Sequence, residues 1–213
     1  MTTETAFTMD TSSIKFGPGV TREIGHDMKR LGAHRVLMLI DPYLTGSSSA
    51  QIAHESLQKE GLDIVVFSEI SIEPTDESFH KAIRFASQGS FDGYVALGGG
   101  STMDTAKAAN LYSTYPASLL TYVNAPIGKG QPVPGTLKPL IAIPTTAGTG
   151  SETTGTAIFD LREMHVKTGI SHRALRPVLG IIDPDNTRTL PRMVAACTGL
   201  DVLCHALESL TAI

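Results

Sequence analysis

The sequence predicts an α/β fold built on a doubly wound, mostly parallel sheet, with a short helical stretch at its end. Three observations carry that prediction. Apolar runs such as Arg35-Val36-Leu37-Met38-Leu39-Ile40 and Leu140-Ile141-Ala142-Ile143 are continuous rather than alternating, as strands covered on both faces are. Segments of helical periodicity separate the early runs, giving the order β-α-β-α-β-loop-α. Finally, the run Gly93 to Leu97 passes straight into Gly98-Gly99-Gly100-Ser101, a strand-to-helix turn with almost no side chains.

Taken in order, Ile14-Lys15-Phe16 reads as a short strand, Gly17-Pro18-Gly19 as a turn, and the next residues as a helix carrying Ile24, Met28 and Leu31. Arg35 to Ile40 is a buried strand ending in Asp41-Pro42, which puts a carboxylate at the C-terminal end of a parallel strand, where such sheets bind ligands. Asp41 can accept hydrogen bonds from a ribose diol and repel a 2′-phosphate, or it can cap an Asp-Pro turn. A helix near Ala50 to Glu60 and a strand over Ile64 to Phe67 follow, and then Glu73-Pro74-Thr75-Asp76 starts a helix that runs to about Ser87.

The glycine turn then opens an Ala-rich helix that runs to Tyr112. Ser101 as cap, with Asp104 in the first turn as in a capping box, would leave N–H groups and the positive dipole end facing the glycines. That is an anion site, best suited to phosphate, or else a tight turn with no ligand. It is not a standard nucleotide signature. G-x-G-x-x-G would need glycine where Met103 stands, and G-x-x-x-x-G-K-S/T is matched neither here nor at Ile127-Gly128-Lys129-Gly130.

Asn124 to Pro139 is rich in Pro and Gly and reads as a loop or flap, in which Lys129 is a substrate-anion contact or a solvated lysine. The strand Leu140 to Ile143 delivers Pro144-Thr145-Thr146-Ala147-Gly148-Thr149-Gly150-Ser151-Glu152, a polar lip suited to phosphate or ribose hydrogen bonds, or a plain Ser/Thr loop. Thr153 to Asp160, Val166 to Ser171 and Val178 to Asp183 read as further strands, with Asp183-Pro184 closing the sheet. Thr189-Leu190-Pro191 starts a helix, Gly199 is expected to interrupt it, and Asp201 to Ile213 forms the last element. There, Asp201 and His205 share one helical face at i and i+4, as two ligands of a divalent cation or as an ion pair.

Composition limits the partners. A chain of 213 residues, 41% hydrophobic and 18% charged, can bury a core, and its net charge of −4 with no basic run argues against nucleic acid or an anionic membrane surface. Small molecules are the expected partners. Cys197 and Cys204 fit neither a disulfide framework nor a C-x-x-C motif, so a reducing compartment is expected. Met1 to Ser13 contain Glu4 and Asp10 and no Arg, unlike a targeting segment, and no apolar run is expected to span a membrane.

Three stretches together resemble the iron-containing (group III) alcohol dehydrogenases: Gly98-Gly99-Gly100-Ser101 with Asp104 and Lys107, the lip Pro144 to Glu152, and Gly199-Leu200-Asp201-Val202-Leu203-Cys204-His205-Ala206-Leu207-Glu208. The resemblance implies a Rossmann-like dinucleotide-binding domain over residues 1–188 and the beginning of a helical metal-binding domain over 189–213. It implies NAD(H) as cofactor, with Asp41 on the adenosine ribose, Gly99, Gly100 and Ser101 on the pyrophosphate, Thr145, Thr146 and Thr149 on phosphate and ribose groups, and Lys167 on the nicotinamide ribose. Asp201 and His205 would be two ligands of Fe²⁺ or Zn²⁺; no catalytic acid or base is assigned.

The flap Ala125 to Gly130 and the segment Gly169 to Pro177 are similar to a branch of that family which passes hydride from a hydroxyacid to an oxoacid: 4-hydroxybutyrate and 2-oxoglutarate give succinate semialdehyde and 2-hydroxyglutarate. Lys129 and Arg173 would be the cations for substrate carboxylates. The implied location is the mitochondrial matrix in a eukaryote and the cytoplasm otherwise. The family's two remaining metal-binding histidines have no match in His26, His34, His54, His80, His165 or His172, so the chain reads as an N-terminal half. On that reading it is either part of an NAD-linked enzyme or an inactive nucleotide-binding fragment. The apolar face Leu203, Leu207 and Leu210 would then favour aggregation or pairing into a homo-oligomer.

Overall fold

The continuous apolar runs become the strands of one parallel sheet. A computed structural model describes residues 11–211. In chain order it contains β1 (Ser13–Phe16), α1 (Ile24–Arg30), β2 (Arg35–Ile40), α2 (Ser48–Lys59), β3 (Asp63–Phe67), α3 (Asp76–Gln88), β4 (Gly93–Gly98), α4 (Gly100–Thr114), β5 (Leu140–Pro144), β6 (Thr156–Leu161), β7 (Val166–Ser171), β8 (Leu179–Ile182) and α5 (Arg192–Thr211). The main sheet has the order β1-β8-β5-β4-β2-β3, and every neighbouring pair is parallel.

Each central strand feeds two cores. From β2, Val36, Met38 and Ile40 join Val95, Leu97, Ile141 and Ile143 against Ile24 and Met28 of α1 and Ala50, Ala53 and Leu57 of α2. Leu37 and Leu39 point the other way, with Tyr94, Ala96 and Ala142, against Ala82 and Ala86 of α3 and Met103, Ala106 and Ala109 of α4. Alanines at 96 and 142 facing alanines on α4 let that helix settle close to the sheet. Helix α4 is buried nearly all round because its outer face (Ala108, Leu111, Tyr112) packs on Phe159, Ala157 and Ile170.

The connection β2 to β3 runs one way along the sheet, and β3 to β4 crosses back to the other side of β2. The order reverses between β2 and β4, and the crevice beyond their C-terminal ends is where doubly wound sheets take ligands. Asp41, the three glycines and the Thr145 lip all emerge along that edge, from β2, β4 and β5.

Several elements depart from the sequence reading. Strands β6 and β7 do not join the main sheet; they pair with each other, antiparallel, as a hairpin whose turn ends at His165 in the left-handed region (φ 51°). The alternating burial of β6 explains this, since a strand covered on one face belongs at the edge of a fold. Gly199 does not interrupt α5, which is continuous over twenty residues. A helical glycine costs only about 1 kcal/mol relative to alanine, and the surrounding Ala, Leu and Met outweigh it. The same composition makes α5 long and apolar enough to cross a membrane by length and composition alone, contrary to the expectation that no run would be. No residue of α5 is buried.

Candidate functional site

Helix α4 starts two residues earlier than the capping argument required. Its N-cap is Gly99, which makes no side-chain cap, so Ser101 falls inside the first turn. Ser101 Oγ instead accepts the Glu73 N–H at 3.2 Å, and Asp104 turns inward rather than back to the cap. The capping box is therefore absent, but the first-turn N–H groups of a fifteen-residue helix still face the strand-end crevice. Glycine is required at Gly100 for close approach, since a Cβ there would lie 2.9 Å from Thr149 Cγ2. A Cβ on Gly99 would meet Thr146 Oγ1 at 3.3 Å. The lip thus closes down on the glycine turn, with the Thr145 N–H donating to the Gly98 carbonyl at 3.0 Å.

Asp41 leaves β2 with its N–H on Leu97 O and its Oδ1 accepting the Tyr43 N–H at 2.9 Å. It caps the short turn that follows, and half-buried Asp41 sets its Cβ 3.2 Å from where a Cβ on Gly98 would stand. The turn-cap role and a ribose contact are compatible, because a carboxylate has lone pairs to spare.

A cleft of ≈ 370 Å³ is lined by Gly100, Ser101, Thr149, Lys167, Asp201 and His205, together with Glu73, Asp104, Ser151, Thr156 and others. Residues separated by up to 132 positions in sequence thus line one cleft. Asp41, Gly99, Thr145 and Thr146 sit beside it on the strand ends, while Lys129 and Arg173 are not part of its lining.

Beneath the cleft is a cluster that the sequence reading passed over. Lys107 is wholly buried, and its Nζ donates to Ser151 Oγ (2.7 Å), the Thr156 carbonyl (2.7 Å) and Thr154 Oγ1 (3.3 Å), with Asp104 Oδ1 at 3.5 Å. Asp104 in turn accepts the Ser151 hydroxyl at 2.6 Å and the Ile158 N–H at 3.0 Å. Burial lowers the Lys107 pKa below its ordinary value, and the Asp104 carboxylate works against that shift. A lone lysine in the run Thr105-Ala106-Lys107-Ala108-Ala109 was the available signal, since a helix so apolar around one cation has to bury it.

Across the cleft, His205 Nδ1 lies 3.0 Å from the Gly148 carbonyl. A carbonyl only accepts, so the proton of neutral His205 sits on Nδ1 and the Nε2 lone pair is left free. Nε2 faces Asp201 Oδ1 at 3.8 Å. One imidazole nitrogen and one carboxylate, with the second ring nitrogen held by a backbone carbonyl, is the donor chemistry that suits Fe²⁺ or Zn²⁺. Among the described residues no third His, Cys, Asp or Glu joins them. The fit for a metal is therefore two ligands of a larger set, and the fit for a dinucleotide pyrophosphate is the glycine turn at the α4 N-terminus.

The chain belongs to the iron-containing alcohol dehydrogenase family, whose model matches residues 11–184. Among curated relatives, the mitochondrial hydroxyacid-oxoacid transhydrogenase of Rattus norvegicus is 56% identical over 213 residues, covering 100% of this chain and 46% of the relative. The Homo sapiens protein of that name is 56% identical over 211 residues, covering 99% and 45%. Solved structures agree. A 1,3-propanediol oxidoreductase superposes with TM-score 0.87 at 26% identity over 95% of this chain and 52% of that one. A sulfoacetaldehyde reductase from Bifidobacterium kashiwanohense, in complex with NAD⁺, gives TM-score 0.85 at 30% identity over 95% and 53%. The chain thus spans about half the length of the relatives it matches.

Proposed function

We propose that this protein is an NAD-linked, metal-dependent oxidoreductase that passes hydride between a hydroxyacid and an oxoacid, converting 4-hydroxybutyrate and 2-oxoglutarate to succinate semialdehyde and 2-hydroxyglutarate. The observation that carries the reading is the single cleft shared by the α4 N-terminus, Thr149, Lys167, Asp201 and His205. Residues 1–188 would form the dinucleotide-binding domain and 189–213 the beginning of the helical metal-binding domain. In a eukaryote the protein would be mitochondrial, as the curated relatives are named.

In this reading the Asp41 carboxylate accepts from the adenosine ribose hydroxyls and repels a 2′-phosphate, which selects NAD over NADP. The N–H groups around Gly99, Gly100 and Ser101 receive the pyrophosphate at the positive end of α4. Thr145, Thr146 and Thr149 donate hydroxyls to phosphate and ribose oxygens. Lys167, which is exposed on β7, reaches the nicotinamide ribose from the hairpin side. A divalent cation held by Asp201 and His205, with ligands beyond this pair, would supply Lewis-acid polarisation of the substrate oxygen.

The test is the absorbance of the purified protein near the NADH band. With bound cofactor and no free NAD, 4-hydroxybutyrate alone should raise that band and 2-oxoglutarate should abolish it. A requirement for free NAD at every turnover would instead identify an ordinary NAD-dependent alcohol dehydrogenase. A second reading, that these 213 residues bind nucleotide without turnover, is favoured by there being only two such ligands among the described residues; NADH binding by calorimetry with no hydride transfer after Fe²⁺ addition would establish it.

A further inference from the structure

The lip from Thr145 to Ser151 is irregular, yet it has to hold a fixed position because both sides of the cleft rest on it. Thr149 packs on Gly100, and the Gly148 carbonyl receives His205 Nδ1–H. Gly148 also sits against α5 so closely that a Cβ would lie 2.9 Å from both Asp201 Oδ2 and Thr198 O. Among the described residues, the hydrogen bonds that join the lip and the start of β6 to α4 all end on Lys107 or Asp104. They form a closed ring. The Ser151 hydroxyl donates to Asp104, so its lone pair is what receives the Lys107 ammonium, and that ammonium also faces Thr154 Oγ1, the Thr156 carbonyl and, at 3.5 Å, Asp104 Oδ1. Every oxygen around Nζ is used as an acceptor, an environment that matches a charged ammonium with three N–H groups.

We infer that Asp104 and Lys107 are positioning residues which, through Ser151, hold the lip so that the Gly148 carbonyl fixes the Nδ1–H tautomer of His205 and leaves Nε2 to the metal. The metal part of this rests on the proposed function; the geometric part does not. Asp104 and Lys107 touch neither ligand. They couple the helix that opens at the cofactor cradle to the imidazole on the opposite wall, 98 positions away in sequence for Lys107.

The experiment is long-range ¹H–¹⁵N NMR of the histidine rings at pH 8 on the metal-free, ¹⁵N-labelled chain, with His205→Gln to assign the signals. Wild type is expected to show His205 protonated on Nδ1, and Lys107→Met to shift it toward the tautomer mixture of free imidazole. Because Lys107→Met can also damage folding, Ser151→Ala is the second variant: it keeps the Lys107–Asp104 charge pair, cuts only the link to the lip, and should give the same shift. A Zn²⁺ titration should show affinity about 10- to 100-fold weaker in both variants. A purely structural role would lower stability and leave the tautomer alone, and an unchanged tautomer in folded Ser151→Ala would overturn the inference. If wild type binds no Zn²⁺ but the tautomer still follows Ser151, the clamp stands and the metal reading falls. If wild type binds Zn²⁺ and neither tautomer nor affinity moves in the variants, the metal reading stands and the clamp falls.

Discussion

The glycine cradle and the Asp201–His205 pair face each other across one cleft, yet they are held by opposite means. The cradle hangs on the ends of β2, β4 and β5, strands whose side chains are buried in two cores. The pair rides on α5, where no residue is buried and Leu203, Leu207 and Leu210 are 54%, 54% and 82% exposed. Its seat on the rest of the molecule is the lip at Gly148. A backbone anion site can be rigid inside one domain, whereas a side-chain metal pair takes its geometry from whatever positions its second ring nitrogen and its helix.

The sharpest test of that contrast is Lys107→Ala, which leaves the Asp104 carboxylate without its buried cation. Breaking a buried pair from one side costs about 3–5 kcal/mol, so urea unfolding should show a loss of that order. A loss below about 1 kcal/mol would mean that the cluster is effectively solvated and the two regions are equally loose.

The opposite edge of the α/β core offers a second test. The buried Asp183 carboxylate accepts N–H groups from Gly19, Thr21 and Asp185 and the Thr21 hydroxyl. Burial raises its pKa, but those hydrogen bonds outweigh it and hold the carboxyl below the usual range. A depressed carboxyl pKa stabilises the fold above its unfolded value near 3.9 and loses that contribution as pH falls through the folded value. Stability measured from pH 6 downward should therefore drop below about pH 4. Asp183→Asn should lose about 1.5–3 kcal/mol at neutral pH and show a shallower acid limb.

Smaller still is the effect expected of Gly100→Val. Overpacking of about 1–3 kcal/mol against Thr149 should weaken NADH binding by about 10- to 100-fold, read by fluorescence titration, with Zn²⁺ affinity changed less. The smallest effect belongs to α5. Leu203→Ser with Leu207→Ser should change the stability of this chain by no more than about 0.5 kcal/mol each. A large loss would show that the helix face is covered in solution and that the contrast with the cradle is weaker than its exposure implies.

Much of the cradle was legible because its signals are local. Asp41, Gly98 to Ser101 and Thr145 to Glu152 each follow an apolar run directly, so naming the strand also named its C-terminal end. Where a choice turned on two residues of register, it failed: moving the α4 start to Gly100 took Ser101 out of the cap and freed Asp104 for Ser151. Gly199 does not break the helix because its weak local penalty competes with the Ala, Leu, Met, Arg and Glu residues on both sides of it. Lys107 was passed over as a site residue because its partners lie 44 to 49 positions away, on a lip and a strand whose placement no local pattern encodes.

By itself, then, the sequence determined which segments are two-sided strands and that three chemistry-bearing stretches follow strand ends, since apolar continuity and glycine content act through each residue's own neighbours. Only the tertiary structure decided that β2 and β4 form the switch point, that β6 and β7 stand apart as a hairpin, and that Gly148 meets His205 across 57 residues. Those outcomes depend on which surfaces bury together and on where a buried cation finds its acceptors. They are properties of the packed molecule, set by desolvation and close contact between segments that the linear order keeps far apart.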